Sequence, residues 1–154
     1  MCGIFFCQNS NKENIINNFK SIAHRGPDTT KYKILDNNYF LGFHRLAING
    51  LNSKSDQPLF VNGVYLICNG EIYNYKNLAN EYNINLVTDS DCEIIIHLYH
   101  RLGVQNMLNS LDGVVACVLV DTYKNILCIA RDPIGIRSLY ITDNKEDICV
   151  ASEM

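Results

Sequence analysis

No apolar run in this 154-residue sequence approaches the roughly 18 residues needed to cross a bilayer; the longest clean one, "GVVACVLV", has eight. The first thirty residues lack the basic segment and following apolar stretch of a secretory signal. There is no CxxC pair, and no cysteine stands beside a histidine at metal-ligand spacing, so no metal site is expected. The seven cysteines are an odd number, and a chain this long buries about 70% of its unfolded surface without staples, so they read as reduced, mostly buried thiols. Thirteen Lys and Arg against sixteen Asp and Glu leave a net charge of -3 with no basic stripe, which argues against a nucleic-acid partner. Repeats, linkers and low-complexity tracts are missing, as is a glycine-rich loop that could grip phosphate. What remains is one cytoplasmic domain over residues 1–154 with a small-molecule partner and no membrane association.

The elements alternate compactly. "CGIFFC" reads as a strand, and the segment after it opens with a Ser10/Glu13 capping box. It carries Ile15, Ile16, Phe19, Ile22 and Ala23 on one helical face and stops at Gly26-Pro27. "KYKILD" and "YFLGFHRLAI" form a hairpin through Asn37-Asn38, and "LFV" and "VYLIC" another through Asn62-Gly63. "YNYKNLANEYN" reads as a short helix, and "SDCEIIIHLYHRLG" as a longer one with a Ser90/Glu93 capping box and Gly103 as its stop. "VQNMLNSL" adds a further helical turn or two. Four strands close the chain: "GVVACVLVD", "ILCIAR", "SLYITD" and "DICVAS", with turns at "TYKN" and "NKE". Strands apolar at nearly every position need cover on both faces, so the expected class is α+β, with two antiparallel sheets between helices. "DICVASEM" reads as a strand left without neighbours by the end of the sequence.

The chemistry-bearing candidates each have a bland alternative. Cys2 follows the initiator methionine, and trimming of Met1 would join a thiol and a free amine on one residue. Their pKa values, about 8.5 and 7.7–8.0, make the amine a matched base. Cys2 could equally be the buried leading edge of a strand. Asn69 and Gly70, after an apolar strand, could aim an amide and a backbone N–H at one oxygen, or form an ordinary turn. Arg45 lies in an apolar strand and could grip a carboxylate, or snorkel from an edge position. Asp91 could bind an ammonium group or serve a helix start. His24 and His44 are the candidates for a conventional Cys-His pair, though no spacing connects either to Cys2. His97 and His100 read as helix-face residues.

In order along the chain, "MCGIF", "HRGPD", "HRLAI", "QPL", "CNGEIYN", "SDCE", "LDGVVACVLVD", "RDPIGIRSLY" and "VASEM" closely resemble the class II glutamine amidotransferase (glutaminase) domain of asparagine synthetases. The resemblance implies a four-layer αββα N-terminal-nucleophile fold and hydrolysis of L-glutamine to L-glutamate and ammonia through a Cys2 thioester. It also implies an oxyanion hole from Asn69 and Gly70, and a carboxylate site at Arg45 helped by the backbone of Leu46, Ala47, Ile48 and Asn49. Glu71 and Asp91 would hold the substrate's amino group. The pattern departs from the family at Ser138, where proline is usual. The family also runs on past the position of Met154, so the sequence reads as a truncated domain or a free-standing short one, with the synthetase domain absent from it. No cofactor is expected in this domain, ATP and Mg belonging to the synthetase half, which would be met in cis or in trans; a homodimer is a further possibility that the resemblance raises. The alternatives are a non-catalytic glutamine-binding domain and the glutaminase of another amidotransferase.

Overall fold

The computed structural model describes residues 1–8, 12–36, 38–48, 51–142 and 147–154. Nine strands and three α-helices occur among them: β1 (Gly3–Gln8), α1 (Lys12–Ser21), β2 (Thr29–Ile34), β3 (Tyr39–Arg45), β4 (Leu59–Val61), β5 (Val64–Ile72), α2 (Tyr75–Glu81), α3 (Glu93–Ser110), β6 (Gly113–Asp121), β7 (Ile126–Arg131), β8 (Tyr140–Ile141) and β9 (Cys149–Ala151). The strands make two sheets, ordered β2-β3-β1-β9-β8 and β4-β5-β6-β7. All pairings are antiparallel.

Strand alternation builds the layers. Ile4, Phe6, Leu41 and Phe43 of the first sheet meet Ile67, Val118 and Val120 of the second in the central core. The intervening residues Phe5, Cys7 and Phe40 point outward and are covered by Ile15, Phe19 and Ile22 of the α1 segment. On the far side Leu66, Cys68, Cys117 and Leu119 pack against Ile94, Ile95, Leu98, Tyr99 and Met107 of α3 and Leu78 of α2. The result is the expected αββα stack, and the run "VVACVLV" is apolar throughout because β6 is buried on both faces. Turn residues behave as their chemistry demands: Asn62 and Gly63 adopt φ of 47° and 82°, and Asn38 has φ of 59°. Gly103, at φ 74°, breaks the α3 span where a stop is expected, and helix resumes directly after it.

Several expectations change. β3 ends at Arg45, three residues early, because Leu46 turns its backbone toward Cys2. β5 runs on through Asn69, Gly70 and Glu71 to Ile72, so Asn69-Gly70 is strand and not turn. The Ser90/Glu93 capping box does not form: Cys92 takes the cap position, and the Glu93 carboxylate accepts from Val87 N–H, Thr88 N–H and the Thr88 hydroxyl. β9 has a neighbour on each side, β1 and β8, so it is not the bare edge that "DICVASEM" suggests. Cys7 and Cys149 are direct register partners on β1 and β9 and are joined in a disulfide, a correction to the reading of seven reduced thiols. Strand pairing brings together two cysteines 142 positions apart, which nothing local announces. Ser10, Asn37 and the "NKE" turn lie outside the described residues.

Candidate active site

The ends of β1, β3 and β5 converge with the segment before α3 on one cleft of about 80 Å³. Cys2 enters it from the start of β1, half-buried, with Met1 at the mouth. The thiol is held by one residue from both sides. Leu46 N–H donates to Sγ at 3.4 Å, and the Leu46 carbonyl lies 3.5 Å from Sγ as the acceptor for the S–H. Burial pushes the Cys2 thiol above its ordinary value, against the Leu46 N–H and the more distant Arg45 charge, which favour the thiolate. Nucleophilic use therefore needs a base close by.

Neither histidine candidate supplies it. His44 is buried, with Nε2 2.9 Å from the Phe19 carbonyl and Nδ1 2.8 Å from the Thr30 hydroxyl, and its ring stacks on Phe19 at 4.0 Å on the α1 side of the sheet. His24 is exposed and pairs with Glu153 at 2.9 Å. The Cys2 backbone is fixed instead by Arg25, whose Nε donates to the Cys2 carbonyl at 3.1 Å while Nη1 pairs with Glu153 at 2.7 Å. This is the contribution of "HRGPD" that the sequence left unassigned. Its Asp28 also accepts from Ala47 N–H at 2.7 Å, anchoring the loop after β3.

Asn69 sits in β5, 3% exposed, and its Nδ2 has no hydrogen-bond partner among the described residues. A buried amide donor without an acceptor costs about 1–3 kcal/mol, so such an atom signals a ligand position. Gly70 is required first by packing, since a Cβ there would lie 2.6 Å from the Val114 carbonyl across the β5–β6 ladder. Its N–H orientation follows from the pleat. On the side of β5 away from β6, Cys68 N–H donates to the Gln57 side chain and Ile72 N–H to Asp91 Oδ2 at 2.6 Å. Gly70 lies midway in that two-residue series, and its N–H opens on the same side, toward the cleft.

Arg45 is 5% exposed on β3, an interior strand, which removes the edge-snorkelling reading. Its Nη1 pairs with Asp56 Oδ1 at 2.6 Å and donates to the Asn52 carbonyl at 3.1 Å. Asp56 is the partner that sequence reasoning missed; its place one residue before "QPL" was the only cue. Asp91 is buried beside the cleft, and desolvation raises its carboxyl above the ordinary range despite the Ile72 N–H it accepts. Glu71 lines the same cleft from an exposed position, and Leu46 and Ile48 line it as well. Ala47 contributes its N–H to Asp28 rather than a cleft surface, and Asn49 lies outside the described residues. Ser55, Gln57, Ser90, Cys92 and Arg137 also line the cleft; none was singled out in the sequence as a site residue, Ser90 having been read only as a helix cap. Arg137 is placed by the turn in "RDPIGIR", where Asp132 accepts from the N–H groups of Gly135, Ile136 and Arg137. Ser138, the departure from the family pattern, uses its hydroxyl to donate to the Ser152 carbonyl at 2.8 Å.

The glutamine amidotransferase domain family matches residues 1–154. The chain belongs to that family. This glutamine amidotransferase domain is 41% identical over 165 aligned positions to a probable glutamine-hydrolysing asparagine synthetase of Acanthamoeba polyphaga mimivirus, covering all of the chain and 30% of that protein. It is 39% identical over 130 positions to the glutamine-hydrolysing asparagine synthetase of Gallus gallus, covering 80% of the chain and 23% of that protein. A protein of Gibberella zeae named amidase chry2 is 39% identical over 140 positions, covering 86% of the chain and 20% of its own length. The domain thus spans less than a third of the length of these curated relatives. Among the described residues no helix is long and apolar enough to cross a membrane.

Proposed function

We propose that this amidotransferase domain hydrolyses L-glutamine to L-glutamate and ammonia through a thioester on Cys2, and that the ammonia serves asparagine synthesis in a synthetase domain. The reading rests on one observation above the others: a buried Asn69 amide donor without an acceptor among the described residues lines the same cleft as the near-N-terminal thiol.

Removal of Met1 leaves the Cys2 amine free at the cleft. The amine takes the thiol proton, and the thiolate attacks the glutamine side-chain carbonyl carbon. The carbonyl electron pair moves onto oxygen, where Asn69 Nδ2 and Gly70 N–H stabilise it; each such donor is worth about 10²–10³ in rate. Collapse of the adduct breaks the C–N bond, and the Cys2 ammonium returns its proton to the departing ammonia. Water then adds to the thioester, with the amine again as base, and glutamate leaves with the thiol restored. The amine is the base of choice because burial disfavours the thiolate and both candidate histidines are engaged elsewhere. Arg45, steadied by Asp56, receives the substrate α-carboxylate, and the Glu71 and Asp91 carboxylates receive its ammonium. Two sites of opposite charge flanking a thiol suit a free amino acid better than an arbitrary amide.

ATP and Mg belong to the synthetase half in this reading, and the domain works in the cytoplasm. The similarity to asparagine synthetases supports that half as the ammonia acceptor. Intact-mass measurement of the N-terminus and a glutamate-release assay test the proposal together. Expected are a chain lacking Met1, glutamate formed from glutamine, and no turnover by Cys2→Ala. Retained Met1 with no glutamate release would favour a glutamine-binding domain without catalysis. Adding the synthetase domain in trans with aspartate and ATP tests the acceptor: asparagine formation supports it, and undiminished free ammonia with no asparagine opposes it.

A further inference from the structure

Gln57 completes a sheet that has run out of strand. β4 pairs with β5 only from Val64 to Leu66, so the ladder on the outer side of β5 stops at Leu66. At the next position in the two-residue series, Gln57 supplies the missing peptide group with its side chain. Its Oε1 accepts from Cys68 N–H at 2.5 Å and its Nε2 donates to the Cys68 carbonyl at 3.1 Å. A carboxamide is the one side chain that carries an acceptor and a donor in the arrangement of a backbone amide, and Gln57 is 4% exposed, so water does not compete. The contact is purchased on the residue directly before Asn69.

Its location gives it leverage. The two proposed oxyanion donors, Asn69 Nδ2 and Gly70 N–H, lie between two anchors on that side of β5: Gln57 at Cys68 and Asp91 at Ile72. The opposite side is held by β6, with Asn69 opposite Ala116 and Gly70 opposite Val115. Asn69 Nδ2 itself has no hydrogen bond among the described residues that would hold it in place. Its position therefore depends on the backbone that carries it. Ladder bonds on one side alone leave a strand free to twist about its own axis, and donors displaced by about 1 Å can lose about 10²-fold in rate.

We infer that Gln57 is a positioning residue for the oxyanion donors, its side-chain amide acting as a surrogate strand that clamps β5 at Cys68 and thereby aims Asn69 and Gly70. This rests on the glutaminase reading above. Gln57 acts through β5 and takes no part in bond making or breaking.

The test uses the chain with Met1 removed and two variants. Gln57→Met keeps the length and loses both bonds; Gln57→Glu keeps an acceptor for Cys68 N–H and loses the donor to the Cys68 carbonyl. Steady-state glutamine hydrolysis is measured beside inhibition by the aldehyde analogue of glutamine, which adds the thiol to give a tetrahedral hemithioacetal, and reactive Cys2 is titrated to count folded sites. Expected for Gln57→Met is a kcat per titrated site lower by about 10–10²-fold, with KM within about threefold of wild type and an aldehyde Ki raised by the factor lost in kcat/KM. Gln57→Glu should show the same pattern to a smaller degree. A loss confined to KM, a loss that vanishes when expressed per titrated thiol, or an unchanged aldehyde Ki would overturn the inference. Failure of both variants to fold would overturn it too, since Gln57 would then support the fold at large. A wild-type chain that releases no glutamate would fail the glutaminase reading itself, and the inference with it, whereas an active wild type with unaffected variants fails the inference alone.

Discussion

Replacing Asn69 by alanine separates a catalytic donor from a structural one. The Asn69 side chain is buried and its Nδ2 is without a partner among the described residues, so the folded state already bears the cost of a desolvated amide, about 1–3 kcal/mol. Truncation relieves that cost and gives up the packing of three heavy atoms, a loss of about 1–2 kcal/mol by comparison with small core truncations. The two nearly cancel, and Asn69→Ala should unfold within about 1 kcal/mol of wild type in urea. Catalysis is not balanced in this way. Loss of one preorganised oxyanion donor costs about 2.7–4 kcal/mol of transition-state stabilisation, equivalent to a fall in kcat of about 10²–10³ with KM little changed. Paired urea titration and glutamine kinetics read the two effects on one protein. An Asn69→Ala variant that kept kcat within tenfold while losing 2 kcal/mol or more of stability would refute the reasoning, because Nδ2 would then be serving the fold.

Other outcomes follow from the charged groups around the cleft. Arg45→Ala should raise the KM for glutamine with a smaller effect on kcat, and Asp56→Ala should move KM in the same direction by loosening the guanidinium; an effect of either confined to kcat would exchange the assigned roles. Asp91→Asn should raise KM by removing a counter-charge for the ammonium, and also raise the thermal midpoint at neutral pH. The sign follows from burial, which raises the folded carboxyl above its unfolded value: the stability it contributes is present below the unfolded pKa and is lost as pH rises through the folded one. Asp91→Asn is free of that loss, so equal midpoints for the two proteins at neutral pH would contradict it. Glu93 behaves oppositely. Burial pushes its carboxyl up, but hydrogen bonds from Thr88, Val87 and His97 outweigh it and leave the group below its ordinary 4.5. Its stabilisation is thus present above that value and lost as pH falls through the lower folded pKa, and Glu93→Gln should flatten the acid limb of the stability-pH curve.

Much of the molecule was legible in its local chemistry. The Asn62-Gly63 hairpin, the break at Gly103, the α1 face of Ile15, Phe19 and Ile22, and the doubly buried β6 all follow from turn residues and periodicity within a few positions. Cys2, Asn69, Gly70, Arg45 and Asp91 were likewise visible as residue types in motifs, and they do meet in one cleft. The contacts that give them their environment were not. Asp56 on Arg45, Arg25 on the Cys2 carbonyl, Gln57 on Cys68, and Cys7 beside Cys149 each join segments whose adjacency no local pattern encodes. Propensity and alternation act over a turn of helix or a pair of strand residues, so the sequence by itself determined most strands, helices and hairpins and singled out Cys2 as the candidate nucleophile. Which strand lies beside which, where β3 stops and β5 continues, and which buried donor is left without a partner were decided only by the tertiary structure, because those features depend on packing two whole sheets against each other.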